Sequence, residues 1–223
     1  MATKRKLSLN TKIFAAIIIL FAALMLFSGG IPQTAKYSQP YIKLWELKEY
    51  PAPFMVSGNY QGILVVGADA PASDVIAATD IASAIVAPLP NSTTMVAKLD
   101  TEVLISTKDK TTNLILVGSS KVNRVIADVQ GVKYNATIGV SASYANGSST
   151  SGRLILRPSK YSWSKTILTV EGDSAIGTRN VASILKDYKT YKSKGLLFGR
   201  NCDVYTSGGK VVLTCHAVPS VWR

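Results

Sequence analysis

The two cysteines of the chain, Cys202 and Cys215, flank a hairpin signal. Two β-rich runs, 203–206 and 210–214, are separated by Ser207-Gly208-Gly209. The primed two-residue hairpin turns favour residues that accept positive φ, so Gly208-Gly209 is the natural loop. Ser207 then faces Lys210, Thr206 faces Val211, Val204 faces Leu213 and Cys202 faces Cys215. Pair type alternates outward from such a loop, which makes the cysteines a non-hydrogen-bonded pair with Cα atoms about 4.5 Å apart. That separation lies at the short end of the disulfide range. The spacing predicts a Cys202–Cys215 disulfide, which suits an oxidising exterior. Two free buried thiols are the alternative. A metal site is disfavoured, because His216 is the single histidine.

Other chemistry would have to come from the loops that follow apolar strands. These are Gly67-Ala68-Asp69, Gly118-Ser119-Ser120 and Glu171-Gly172-Asp173. None has the spaced glycines of a dinucleotide loop or the Gly-Lys-Ser/Thr ending of a phosphate loop. Glycine as a tight turn between strand and helix is the simpler reading. Ser119 lacks the flanking glycines of a nucleophile elbow. A base for it is scarce, and no spacing selects a lysine partner. Asp69, Asp74, Asp80, Glu171 and Asp173 could offer oxygen ligands to Ca²⁺, with Asp69 and Asp173 the candidates kept. Loop and cap roles account for them more simply. The expectation is a protein without a cofactor that is not an enzyme.

The elements around these loops repeat one phrase. The run 63–66 is continuously apolar, as a strand buried on both faces would be. It ends at Gly67 and leads into a helix over 74–85, with Ser73 or Asp74 as cap and Ala77, Ala78, Ile81, Ala82 and Ile85 as its apolar stripe. The phrase returns at 113–118 with a helix over 121–127, and again at 165–170 with a helix over 178–188. Short β-like pieces lie at 95–99, 103–106, 136–140 and 154–156, and 146–152 reads as a loop. Tyr50-Pro51-Ala52-Pro53-Phe54 forbids regular helix. The fold class expected is α/β, with a mostly parallel sheet, flanking helices, an antiparallel C-terminal hairpin and an N-terminal hydrophobic helix.

That N-terminal helix would follow a basic stretch over 1–12, and it covers fifteen apolar residues, 13–27. Ser28-Gly29-Gly30-Ile31-Pro32 would end it. The pattern is that of a secretory signal, and the run is short against the roughly 20 residues of a full span. A signal cleaved after Gly30 and a retained signal-anchor both fit. Either places the remainder outside the cell, with the positive residues in the cytoplasm. The organisation expected is a signal or anchor over 1–30, a linker over 31–49 and an extracellular domain over 50–223. Three acceptor sequons, at Asn91, Asn135 and Asn146, agree with export. Hydrophobic residues are 47% and charged residues 17%, a globular composition. The formal charge is +12, and four of the basic residues lie within 1–12, which leaves 21 basic against 13 acidic residues elsewhere. They form no basic block with interleaved aromatics, so nucleic acid is not an expected partner.

The order of these phrases carries a resemblance. Tyr-Pro-Ala-Pro-Phe at 50–54 precedes Ile-Leu-Val-Val-Gly at 63–67 and Ala-Ser-Asp-Val-Ile-Ala-Ala-Thr-Asp-Ile-Ala at 72–82. Asn-Leu-Ile-Leu-Val-Gly at 113–118 follows, with Val-Asn at 122–123. Glu171-Gly172-Asp173 and Thr178-Arg179 then precede the last helix. From about Tyr50 to Val218 the chain resembles the shared core portion of archaeal S-layer proteins. The resemblance implies a structural role: lateral self-association into an envelope, glycosylation and sometimes bound Ca²⁺. Two departures matter. The family's usual Gly-Gly-Pro is Gly118-Ser119-Ser120 here, and long members carry further domains and are often acidic. The function expected is a structural cell-surface protein that self-associates or docks into the cell envelope beside other envelope proteins or glycans. It would be membrane-anchored if the N-terminal helix is kept. The alternative is a cell-wall glycan-binding module, which would line a groove with aromatics such as Trp45, Tyr161 or Trp163.

Overall fold

Tyr50-Pro51-Ala52-Pro53-Phe54 folds as a short 3₁₀ turn, Ala52–Phe54, and not as helix. The computed structural model describes residues 43–89, 95–135 and 137–217. The hydrophobic run 13–27, the cleavage position expected after Gly30, Asn91 and most of the linker lie outside these residues. The end of the linker read over 31–49 belongs to the domain instead. Leu47 is fully buried, its N–H donates to the Gly199 carbonyl at 2.6 Å, and Trp45 packs against the main apolar cluster.

Strands β1 (Met55–Val56) and β2 (Asn59–Tyr60) make a small antiparallel hairpin of their own. Strand β3 (Ile63–Val66) is buried at every position, as its unbroken apolar run demands. Helix α1 (Ala72–Val86) follows. Its N-cap is Pro71, with no side-chain cap bond, so neither Ser73 nor Asp74 caps it. Strand β4 (Val96–Leu99) leads directly into helix α2 (Asp100–Ile105), then the single turn α3 (Thr107–Lys110). The β-like piece expected over 103–106 is therefore mostly helix. Its β-branched residues yield to a helix start: the Glu102 carboxylate accepts from the Leu99 N–H at 2.8 Å, and Val103 is the apolar anchor turned inward.

Strand β5 (Leu114–Gly118) is buried throughout and is followed by helix α4 (Arg124–Gln130). Helix α5 (Ile138–Ala145) occupies the region expected as β-like over 136–140. Here one long-range anchor overrides local propensity, because Tyr144 is fully buried among residues of other elements. Strands β6 (Gly152–Pro158) and β7 (Thr166–Gly172), helices α6 (Ala175–Lys186) and α7 (Tyr188–Ser193), and strands β8 (Asn201–Ser207) and β9 (Lys210–His216) complete the chain.

Seven strands form one sheet in the order β4-β3-β5-β7-β6-β8-β9. The pairs β4–β3, β3–β5 and β5–β7 are parallel, while β7–β6, β6–β8 and β8–β9 are antiparallel. The sheet is thus evenly mixed, not mostly parallel. The reason is chain length: residues 159–165 are too few for the crossover of about a dozen residues that a parallel β6–β7 pair would need. Alternate residues split the core. Leu64, Val66, Ile115, Val117, Leu168 and Val170 meet α1 and α6 on one face. Ile63, Val65, Leu114, Leu116 and Ile167 meet α2 and α4 on the other. Each such side chain contributes about 1.5–3 kcal/mol through burial.

The hairpin register matches the count outward from Gly208-Gly209, both of which have positive φ. Cys202 pairs with Cys215, Cα to Cα 3.9 Å, and the two are disulfide-bonded. The bond closes a loop of sequence separation 13, for which loss of chain entropy stabilises the fold by about 3 kcal/mol. Replacing both cysteines by serine is expected to lower unfolding free energy by about 2–3 kcal/mol without unfolding the sheet. Denaturant titration measures the loss, and an unchanged midpoint would contradict it.

Candidate functional site

Helices leave β3 and β5 toward opposite faces, since α1 packs on one side of the sheet and α4 on the other. That reversal between neighbouring parallel strands is where α/β sheets hold ligands, in the crevice at the strands' carboxyl ends. In this protein the chain's own residues fill it. Asn123 is fully buried there. Its side-chain amide donates to the Val65 carbonyl at 3.3 Å and the Val117 carbonyl at 3.1 Å. Its Oδ1 accepts from the N–H groups of Val125 and Ile126, capping α4. Backbone presses in as well: a Cβ on Gly67 would lie 1.8 Å from the Val122 carbonyl oxygen. Glycine at the end of β3 is required by this close approach.

Around this plug the polar groups satisfy one another. Asp100 is fully buried and accepts from the backbone N–H groups of Ala68 (2.8 Å), Thr101 (2.7 Å) and Arg124 (2.6 Å). Arg124 Nη2 lies 2.9 Å from Asp69, and the Tyr134 hydroxyl donates to the same carboxylate at 2.5 Å. On the far side, Asp74 is fully buried beneath α5 and accepts from the Tyr144 hydroxyl at 3.0 Å. That hydroxyl is also 2.6 Å from Thr178 Oγ1, which joins α1, α5 and α6. Burial raises the Asp74 pKa to about 7, and the Tyr144 bond only partly offsets it. Burial also pushes Glu171 up, against Gln130 and nearby arginines.

The candidate residues from the sequence are dispersed. Ser119 is buried, and its Oγ accepts from the Lys121 N–H at 3.2 Å as part of the turn. His216 lies on β9, at the sheet edge beyond β7, β6 and β8, with Nε2 2.7 Å from Asp203. Asp69 follows β3 and Asp173 follows β7, with β5 between them. Asp69 is engaged by Arg124 and Tyr134, and Asp173 is exposed. Among the described residues no three His, Cys, Asp or Glu side chains come together as a metal site. Asn135 and Asn146 are both exposed, on the long connection that covers the carboxyl end. Trp45 lies half-buried with the Lys43 ammonium 3.5 Å from its ring centre, and it packs on one face of the sheet. Tyr161 packs on the opposite face and donates to Asp128. Trp163, in the β6–β7 turn, is 58% exposed. These aromatics do not line one groove.

The sequence reading missed Asp100, Asn123 and Tyr144. Asn123 had a signal, an N-cap residue before an apolar helix, that was absorbed into a helix begun at 121. Asp100 and Tyr144 acquire partners 24 and 70 residues away, respectively, which no local pattern announces.

A second feature stands outside the crevice. Arg153, Asn201, Asp203, Tyr205, Thr214 and His216 share the sheet face opposite Leu154, Cys202 and Val204. Ser151, Arg153, Asp173, Asp203, Val204 and Tyr205 line a shallow groove of about 390 Å³ there. A scan against protein-family models finds no match for the chain, and a search of curated proteins finds none either.

Asn123→Ala would strand two strand-end carbonyls and two helix N–H groups. The expected loss is at least about 3 kcal/mol, measured by urea unfolding; a loss below 1 kcal/mol would show that the amide is dispensable. Asp74 sets a pH dependence. Between its unfolded value of 3.8 and about 7 the folded protein keeps a proton that the unfolded chain has released. Stability therefore falls as pH rises through that window. Asp74→Asn is expected to flatten that part of the curve, leaving the smaller contribution of Glu171, as thermal unfolding from pH 4 to pH 8 would record.

Proposed function

We propose that this protein is a structural component of a cell surface, S-layer-like, that self-associates or docks into the cell envelope and does not turn over a substrate. The observation that carries this reading is the plugged crevice: the position where an α/β sheet would hold a ligand is occupied by Asn123, Val122 and the Asp74–Tyr144–Thr178 cluster. What remains for recognition is outer surface. The Cys202–Cys215 disulfide is compatible with an extracellular location. Asn135 and Asn146 are exposed, as glycosylation would require. Among the described residues no helix is long and apolar enough to cross a membrane. Anchorage would fall to the apolar run 13–27, if it is retained.

The groove beside Tyr205 favours a second reading, a module that binds envelope glycan. Arg153, Asp173 and Asp203 supply donors and acceptors for hydroxyls, and Tyr205, 40% exposed, offers a ring face.

Electron microscopy of the purified protein with its disulfide intact, over a concentration series with and without Ca²⁺, tests the first reading. Ordered sheets, tubes or filaments are expected. A persistent monomer that binds cell-wall saccharide, with binding lost in Tyr205→Ala, would give the second reading first place. Turnover of any substrate by the folded domain would overturn both.

A further inference from the structure

Strand β9 ends the sheet and, among the described residues, pairs only with β8. Counting outward from the Gly208-Gly209 turn, Val211, Leu213 and Cys215 occupy non-hydrogen-bonded positions opposite β8. Their N–H and C=O groups therefore point away from the sheet. Natural edges are blunted by charged side chains, lysine above all, by proline, a bulge, an inward charge or a covering element. On β9 the one lysine, Lys210, stands at the end of the strand, residues 210–216 contain no proline, and their register with β8 runs without a bulge. The disulfide ties the strand to β8, which holds the edge in an extended, preorganised form.

We propose that β9 pairs antiparallel with β9 of a second copy, about a two-fold axis through Leu213, to make one sheet across two molecules. The inference rests on the self-association reading and names its contact. Full overlap of the strand sets Leu213 against its counterpart and Val211 against Cys215 of the other copy. These three outward positions supply about six N–H···O bonds. On one face, Val211, Leu213 and Cys215 are half-buried and already pack on the main apolar cluster, so the two clusters become continuous. On the other face, Lys210 of each copy arrives beside His216 of the other. That imidazole is 2.7 Å from Asp203, whose side chain is 51% exposed. The cationic end of each strand thus approaches the carboxylate-bearing end of its mate. A parallel pairing would instead set Lys210 against Lys210. One seven-residue strand per copy falls well short of the roughly 20–30 residues a side of a standard stable interface. The pairing is therefore a concentration-dependent association, of the kind a reversible lateral contact needs.

The test uses the full chain in mild detergent, with sedimentation over a concentration series and carbodiimide cross-linking of a mixture of ¹⁴N and ¹⁵N copies. A dimer is expected, with mixed-isotope Lys210–Asp203 links. Leu213→Pro removes an N–H that β8 does not use, so it should keep the disulfide and circular dichroism while weakening association more than tenfold, as roughly expected for losing central interface bonds. Lys210→Glu should weaken association about tenfold, and Lys210→Glu with Asp203→Lys should restore it. If Leu213→Pro fails to fold, the charge pair carries the test. Wild-type association by both variants, without mixed-isotope links, overturns the β9 contact; ordered arrays of the same preparation would leave the surface reading standing. A wild-type chain that is monomeric at every concentration overturns both.

Discussion

One buried amide, the side chain of Asn123, ties the carboxyl ends of β3 and β5 to the first turn of α4. Two parallel strands whose helices depart to opposite faces leave a gap at their carboxyl ends. The gap exposes strand-end carbonyls and helix N–H groups that burial would penalise. Asn123 has two donors and an acceptor on one short side chain, and it satisfies carbonyls of β3 and β5 and the first turn of α4 together. The rest of the carboxyl end follows from that placement. Val122 must lie against β3, so residue 67 has no room for a side chain. Arg124 is then positioned for both Asp69 and Asp100.

The same arrangement divides the sheet into two structurally unlike halves. Its parallel half is wrapped by helices on both faces and closed at its carboxyl end by the 119–151 connection, whose Tyr144 ties α5 to Asp74 and Thr178. The antiparallel half is different. Strands β6, β8 and β9 bury Leu154, Cys202 and Val204 on one side and turn Arg153, Asn201, Asp203 and Tyr205 to the other. Helix α6 covers the first of these faces, and among the described residues no helix packs on the second. The disulfide lies in that half too, where an edge hairpin has the least tertiary support.

Legibility followed the range of the forces involved. The hairpin could be read to the residue, because a glycine pair fixes the turn and pairing then proceeds by counting. The buried strands β3, β5 and β7 were equally plain as apolar runs between glycines and polar loops. Residues 103–106 and 136–140 were not. Their β-branched residues point to strand, yet a local N-terminal turn at Asp100–Glu102 and the distant anchoring of Tyr144 place 103–105 and 138–140 in helices. The even mixture of parallel and antiparallel pairs was hidden for a related reason: strand–helix repeats speak for parallel pairing, while the direction of β6 depends on the short 159–165 connection.

By itself, then, the sequence determined the buried strands β3, β5 and β7 with the helices that follow them, the hairpin register and the cysteine pair, because each depends on residues that are neighbours in the chain or linked by one turn. Only the tertiary structure decided that the crevice is plugged and that Asp69 is engaged by Arg124 and Tyr134. Those outcomes depend on contacts between elements far apart in sequence, such as Asn123 with Val65 and Tyr144 with Asp74. Strand order and the burial of polar groups arise when all the elements pack at once, and neither periodicity nor spacing encodes them.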